Sequence, residues 1–211
     1  MSRISKKTAR KAGWLIRDVF DWGRNAVSAL IIVVTVFTFA VRTSSVDGPS
    51  MLPTLKDEDQ LIVTNFFYTP AHNDIVIIYA PNLYDSGKGE MGKSIIKRII
   101  GVEGDTIRID SCTGTVYRND IELEITEEDK QLFEEGYRIN SRTHAVDITE
   151  EVTVPPGYVF VMGDNRNYSM DSRYTNDGNH PIGYIGMINV NHIAGRAFFR
   201  VLPFDSFGFL T

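Results

Sequence analysis

Hydrophobic and polar positions follow two different rhythms along this chain. From Asn25 to Val41 (NAVSALIIVVTVFTFAV) 17 residues pass without a charge, 13 of them apolar, between Arg24 and Arg42. No polar stripe interrupts the run, so a helix there has no face for water. At 1.5 Å per residue it spans roughly 26 Å, a little under the ~30 Å hydrocarbon core of a bilayer. Arginines at both ends snorkel to the interface and Trp22 sits at headgroup depth, which makes up the difference. The pattern predicts a transmembrane helix over 25–41. A buried core helix would show a polar stripe. A removable leader has only the weak site Thr38-x-Ala40 with Arg42 close behind it. Trp14, Leu15, Val19 and Trp22 fall near helical spacing, consistent with an amphipathic turn on the inner leaflet.

After Arg42 the rhythm shortens. Gln60–Phe67, Asp74–Tyr79, Ser94–Val102, Thr106–Asp110, Thr115–Arg118, Ile121–Ile125, Val152–Val154, Tyr158–Met162 and Ala197–Val201 are short runs rich in Ile, Val, Phe and Tyr. Gly104-Asp105, Pro156-Gly157 and Gly163-Asp164-Asn165 are turn signals between them. Only the acidic Thr126–Glu135 looks helical. The 169 residues from 43 to 211 therefore predict a mainly β body of antiparallel sheets, with about 110–152 as an inserted satellite.

Charge divides the chain at the same place. Residues 1–25 hold seven basic side chains against two acidic ones, +5, and leave −10 for the rest of a chain of net charge −5. A basic head followed by an apolar span faces anionic lipid rather than nucleic acid. The bias puts 1–24 in the cytoplasm and 43–211 outside as the extracytoplasmic domain. One cysteine excludes a disulfide framework and a Cys-rich zinc site. Apolar content of 43% with 11% aromatics excludes wholesale disorder.

Three patches carry more reactive residue types than a sheet needs. Ser50 lies between Pro49 and Pro53 with Gly48 two before it, a stiff loop that suits a nucleophile because orientation supplies much of a barrier reduction. A plain proline-rich turn is the alternative, and the Gly-x-Ser-x-Gly elbow is absent. Lys97 shares a strand face with Ile95 and Ile99, where desolvation lowers a lysine toward the range of a general base. An edge-strand lysine reaching for water is the other reading. Gly163–Arg173 is dense in Asp, Asn, Arg and Ser, and Arg166 and Arg173 argue against a calcium loop. His72, His144, His180 and His192 show no metal-ligand spacing and read as surface or structural, and Cys112 reads as an inert turn residue.

In order along the chain these patches resemble the boxes of the bacterial type I signal peptidases, membrane-bound serine proteases that remove signal peptides. Gly48-Pro49-Ser50-Met51-Leu52-Pro53-Thr54-Leu55 resembles the nucleophile box, Ser94 to Asp105 the lysine box, and Gly163 to Arg173 the Gly-Asp-Asn box. Ile185-Gly186 and Gly195 to Arg200 are similar to the closing segment. The separation of 58 positions between Asp105 and Gly163 is similar to the compact form typical of Gram-positive bacteria. A lysine in the second box points away from the eukaryotic and archaeal type.

The resemblance implies an endopeptidase with Ser50 as nucleophile and Lys97 as general base. It implies Ser169 bonded to the lysine amine, Asp171 and Arg173 supporting that loop, and Asp164 with Arg98 as a second ion pair. Gly48 stands where some relatives have serine, so the oxyanion would rely on backbone N–H groups, mainly that of Ser50. Val46, Met51, Ile95 and Ile96 are expected to wall shallow pockets for an Ala-x-Ala pattern, with the substrate added as a strand. Expected partners are preproteins, the lipid bilayer and, indirectly, the export machinery, with no nucleic acid, cofactor or metal. Met51, Leu52 and the run Val201–Leu210 are expected to form an apolar rim against lipid. The alternatives are a sortase-like transpeptidase using Cys112 and a non-catalytic anchored binding module.

Overall fold

Runs of β-branched residues separated by breakers become strands once they have neighbours to pair with. The computed structural model describes residues 19–35, 42–110, 115–123, 151–166, 168–173 and 185–210. It divides into two units, Met1–Arg42 and Thr43–Thr211. In the first, residues 19–35 are helical, and Leu30, Ile31, Ile32, Val33 and Val34 are all exposed. Among the described residues no helix is long and apolar enough to cross a membrane. The expected span 25–41 is helical to residue 35 and its last six residues lie outside the described ones, as do Trp14 and Leu15.

The second unit is mainly antiparallel β. Its described strands are β1 (Arg42–Ser45), β2 (Gln60–Thr64), β3 (Ile75–Asp85), β4 (Glu90–Gly101), β5 (Thr106–Ile109), β6 (Val116–Arg118), β7 (Ile121–Leu123), β8 (Val152–Thr153), β9 (Tyr158–Met162), β10 (Ile188–Asn189), β11 (Ile193–Leu202) and β12 (Gly208–Phe209). The larger sheet runs β1-β2-β11-β3-β4-β9-β10, with β12 on β11, and the smaller runs β7-β6-β5-β8. The strand carrying Lys97 pairs with β3 along its length and with β9 from Arg98 onward; Lys97 itself is buried, so the reading of a lysine reaching for water falls.

Consecutive side chains of a strand point to opposite faces, and β3 is apolar on both. Val76 and Ile78 join Ile99, Val159, Val161 and Ile193 in one core. Ile75 and Ile77 join Val46, Met51, Leu55, Leu61, Val63 and Ala197 in another. A third core ties Ile100, Phe160 and Met162 to Ile107, Ile109, Val116 and Val154 of the smaller sheet.

The structure departs from the sequence pattern in a few places. The β3–β4 hairpin extends beyond Tyr79 and before Ser94, where Pro81, Asn82 and Gly92 read as breakers. A register shift between Ala80 and Tyr84 absorbs them. β1, β10 and β12 have no strand-like pattern of their own and take strand form from their neighbours. The second sheet starts at Thr106, before residue 110, while the predicted helix Thr126–Glu135 lies outside the described residues.

Candidate active site

The loop between β1 and β2 presents Ser50, and its shape follows from its own backbone. Val46 N–H donates to Asp59 O and Glu58 N–H to Val46 O, closing the base of the loop, while Leu55 N–H donates to Met51 O within it. Gly48 has φ +85°, a conformation that favours glycine. Its N–H donates to Asp57 Oδ1 at 2.8 Å, so it is not available to an oxyanion. Pro49 has no N–H, which leaves the Ser50 N–H as the donor among the candidates named from the sequence.

Lys97 reaches this loop from β4. Its Nζ lies 2.7 Å from Ser50 Oγ and 2.9 Å from Ile96 O, and the residue is 3% exposed. Burial lowers its pKa from 10.5 to about 8; Arg173 and Lys93 pull the same way, and Asp171 and Asp164 oppose. At that value a useful fraction is neutral amine near neutral pH. The neutral amine can accept the Ser50 hydroxyl proton while its N–H donates to Ile96 O.

The segment after β9 braces both. Asn165 N–H donates to Ser50 O at 3.1 Å and Asn165 Nδ2 donates to Pro49 O at 3.1 Å. A Cβ at Gly163 would collide with Ser169 Oγ and the Ser50 carbonyl, so only glycine allows this approach. Gly163 N–H donates to Asp171 Oδ2 at 3.0 Å. Arg173 forks onto that carboxylate, Nε to Oδ1 at 2.8 Å and Nη2 to Oδ2 at 2.9 Å, and also reaches Arg166 O at 2.8 Å. Burial would raise the Asp171 carboxyl, but the Arg173 charge and the hydrogen bonds it receives hold it below the usual carboxylate range. Arg98 and Asp164 make a second fork, at 2.8 Å for both contacts.

Several expected residues are placed differently. Val46 and Met51 are not among the residues lining the cleft beside the dyad; the base of the loop, for Val46, and the turn at 51–55, for Met51, carry them into the core with Leu55 and Leu61. Buried there, Met51 cannot be part of an exposed rim either. Ile95 and Ile96 do line a cleft of about 300 Å³ beside the dyad, together with Ile77, Leu83 and Met170. Ser169 is buried and its hydroxyl acts on the Asp171 carboxyl, while the Lys97 amine bonds Ser50 and Ile96 instead. Asn165 was not singled out from the sequence, although its signal was its place in the Gly-Asp-Asn box. His72 bonds Asp105 at 2.6 Å and His192 sits in a 3-10 turn. Cys112, His144 and His180 lie outside the described residues. No metal-holding cluster of His, Cys, Asp or Glu occurs among the described residues.

Residues 19–202 match the family described as signal peptidase, peptidase S26. The chain is 32% identical over 183 residues to the probable signal peptidase I-1 of Synechocystis, covering 85% of this chain and 81% of that one. It is 29% identical over 212 residues to the signal peptidase I of Bacillus caldolyticus, covering 99% of each. A solved signal peptidase I from Enterococcus faecalis is 25% identical, with TM-score 0.41, covering 61% of this chain and 97% of that one. With nearly its whole length inside the match, the chain belongs to the signal peptidase, peptidase S26, family of serine endopeptidases.

Proposed function

We propose that Ser50 and Lys97 carry out the signal-peptide cleavage of this family through an acyl-enzyme. The carrying observation is the 2.7 Å approach of the Lys97 amine to Ser50 Oγ, with that amine buried. Neutral Lys97 takes the hydroxyl proton as Ser50 Oγ bonds to the carbonyl carbon before the cut. The oxyanion develops against the Ser50 N–H. The C–N bond then breaks, and the leaving amine takes the proton from the Lys97 ammonium. Lys97, neutral again, deprotonates the water that attacks the ester, and the proton returns to Ser50 as the signal peptide leaves with a carboxylate end.

The cleft takes the residues before the cut, in an Ala-x-Ala pattern, because Ile77, Leu83, Ile95 and Ile96 line it and leave little room for longer side chains. The substrate backbone adds alongside β4 as a strand. The protein is single-pass in the cytoplasmic membrane, N-terminus inside, on the support of the basic residues before Asn25 and the apolar run to Val41. Phe204, Phe207 and Phe209 are exposed and meet lipid, beside the export machinery that delivers preproteins.

The test is processing of a reporter preprotein. Ser50→Ala and Lys97→Ala should abolish cleavage, while Cys112→Ala should cleave as the parent does. A Ser50→Ala protein that still cleaves, or a Cys112→Ala protein that does not, would overturn the assignment in favour of the cysteine.

A further inference from the structure

The cleft beside the dyad is one-sided. Its walls are Ser44, Ser45, Asp47 and Gly48 ahead of Ser50, and Lys93 to Ile96 ahead of Lys97. Both walls thus run toward the reacting pair, and a bound chain lies along them on one side of the cut. Away from the dyad the walls are joined by charge: Lys93 Nζ lies 3.7 Å from Asp47 Oδ2. The two ends of this bridge are unequal. Both line the cleft, but the Lys93 side chain is 35% exposed and that of Asp47 86%, so the carboxylate is the more screened by water and the ammonium the more enclosed of the two. Lys93 shares the strand face of Ile95 and Lys97, and its charge is felt at the Lys97 amine.

Lys93 lies four steps of strand before Lys97, about 13 Å at ~3.3 Å per residue. An extended substrate advances by the same rise, so its residue four or five positions before the cut comes level with Lys93. We propose that Lys93 is a specificity-determining residue that favours an acidic side chain at that position and rejects a basic one. An acidic side chain replaces Asp47 as the partner of Lys93. A basic one must displace the bridge and then faces an ammonium with only a water-screened carboxylate in return. This rests on the reading that the cleft holds the acyl side of the substrate.

The test uses the full chain in detergent and peptides with Ala at −1 and −3, carrying Glu, Gln or Lys at each of positions −4, −5 and −6. Partly exposed ion pairs are each worth up to about fivefold, so the ratio of kcat/KM for Glu over Lys should reach roughly five- to tenfold at −4 or −5. The difference should lie mainly in KM and fade at about 1 M salt. Lys93→Glu should invert the order, Lys93→Gln should flatten it, and Asp47→Asn should sharpen it. An order unchanged in both Lys93 variants overturns the proposal, as does a preference confined to residues after the cut. If the Gln peptides are cleaved through Ser50 while the charge order is flat in the parent, only this inference fails. If the parent cleaves none of the peptides, the reading of the cleft fails with it.

Discussion

Holding Lys97 beside Ser50 works against the fold, because folding takes an ammonium out of water and sets it among Ile95, Ile99 and the nucleophile loop. Its pKa falls from 10.5 to about 8. Well below pH 8 the folded state carries the buried charge in full; the penalty declines as pH rises through 8 and is gone above 10.5. A difference of that size corresponds to about 3 kcal/mol. Lys97→Met should therefore stabilise Thr43–Thr211, a compact unit by itself. The expected gain at pH 7 is about 1–3 kcal/mol after loss of the bonds to Ser50 and Ile96, and it should shrink by pH 10. Urea denaturation at the two pH values measures it; a variant no more stable at pH 7 contradicts the burial argument. Lys97→Arg should be as inactive as Lys97→Met, since guanidinium stays protonated throughout.

The loop before β2 and the segment after β9 make the catalytic geometry jointly, and they meet at Gly163. Its missing Cβ lets the Ser50 carbonyl approach, and Asn165 then ties down Pro49 and Ser50. Gly163→Ala pushes on the Ser169 side chain and on the Ser50 backbone carbonyl, and the carbonyl cannot yield cheaply, so the Ser50–Lys97 distance must change. A displacement near 1 Å costs on the order of 100-fold in rate; kcat should fall by about that much with KM little altered. A Gly163→Ala protein with the parent kcat would show that this contact does not position the serine. The sequence made the three boxes legible because Pro49, the aliphatic neighbours of Lys97 and the Asp-Asn-Arg density are local signals. It did not reveal that Val46 and Met51 turn inward, because that depends on how the 46–59 loop closes on itself. Nor did it reveal the Lys93–Asp47 bridge, which joins residues brought together only by the sheet. β1 and β10 were illegible for a similar reason, being held by partners rather than by their own residues.

At the scale of the molecule, a charged body of −10 carries a small, exposed aromatic surface near its end. Phe204 is 81% exposed and Phe209 77%. Phe207 and Phe209 stand edge-on to Phe199 at 4.8 and 4.9 Å, which fixes the cluster while leaving its outer rings in solvent. Phe66 and Phe67, which the sequence pattern places at the end of a strand, follow β2 and are exposed. Exposed apolar groups of this size mark an interaction surface, and the lipid contact proposed for these rings has a direct test. A form beginning at Thr43 should co-sediment with liposomes and cleave faster in their presence. Replacing Phe204, Phe207 and Phe209 together by Ser should remove both effects. Equal sedimentation by the two forms would assign lipid binding elsewhere.

The dyad itself is tested most directly by the pH dependence of kcat/KM on one neutral peptide substrate, from pH 6 to 10. The reacting form of the free enzyme has neutral Lys97, so the rate should climb about tenfold per pH unit and level off near the lysine's value of about 8. The same limb should move upward in Lys93→Gln, because a cation that lowers Lys97 has been removed. A profile that is flat across this range, or a limb near 6.5 where histidine titrates, would contradict Lys97 as the base.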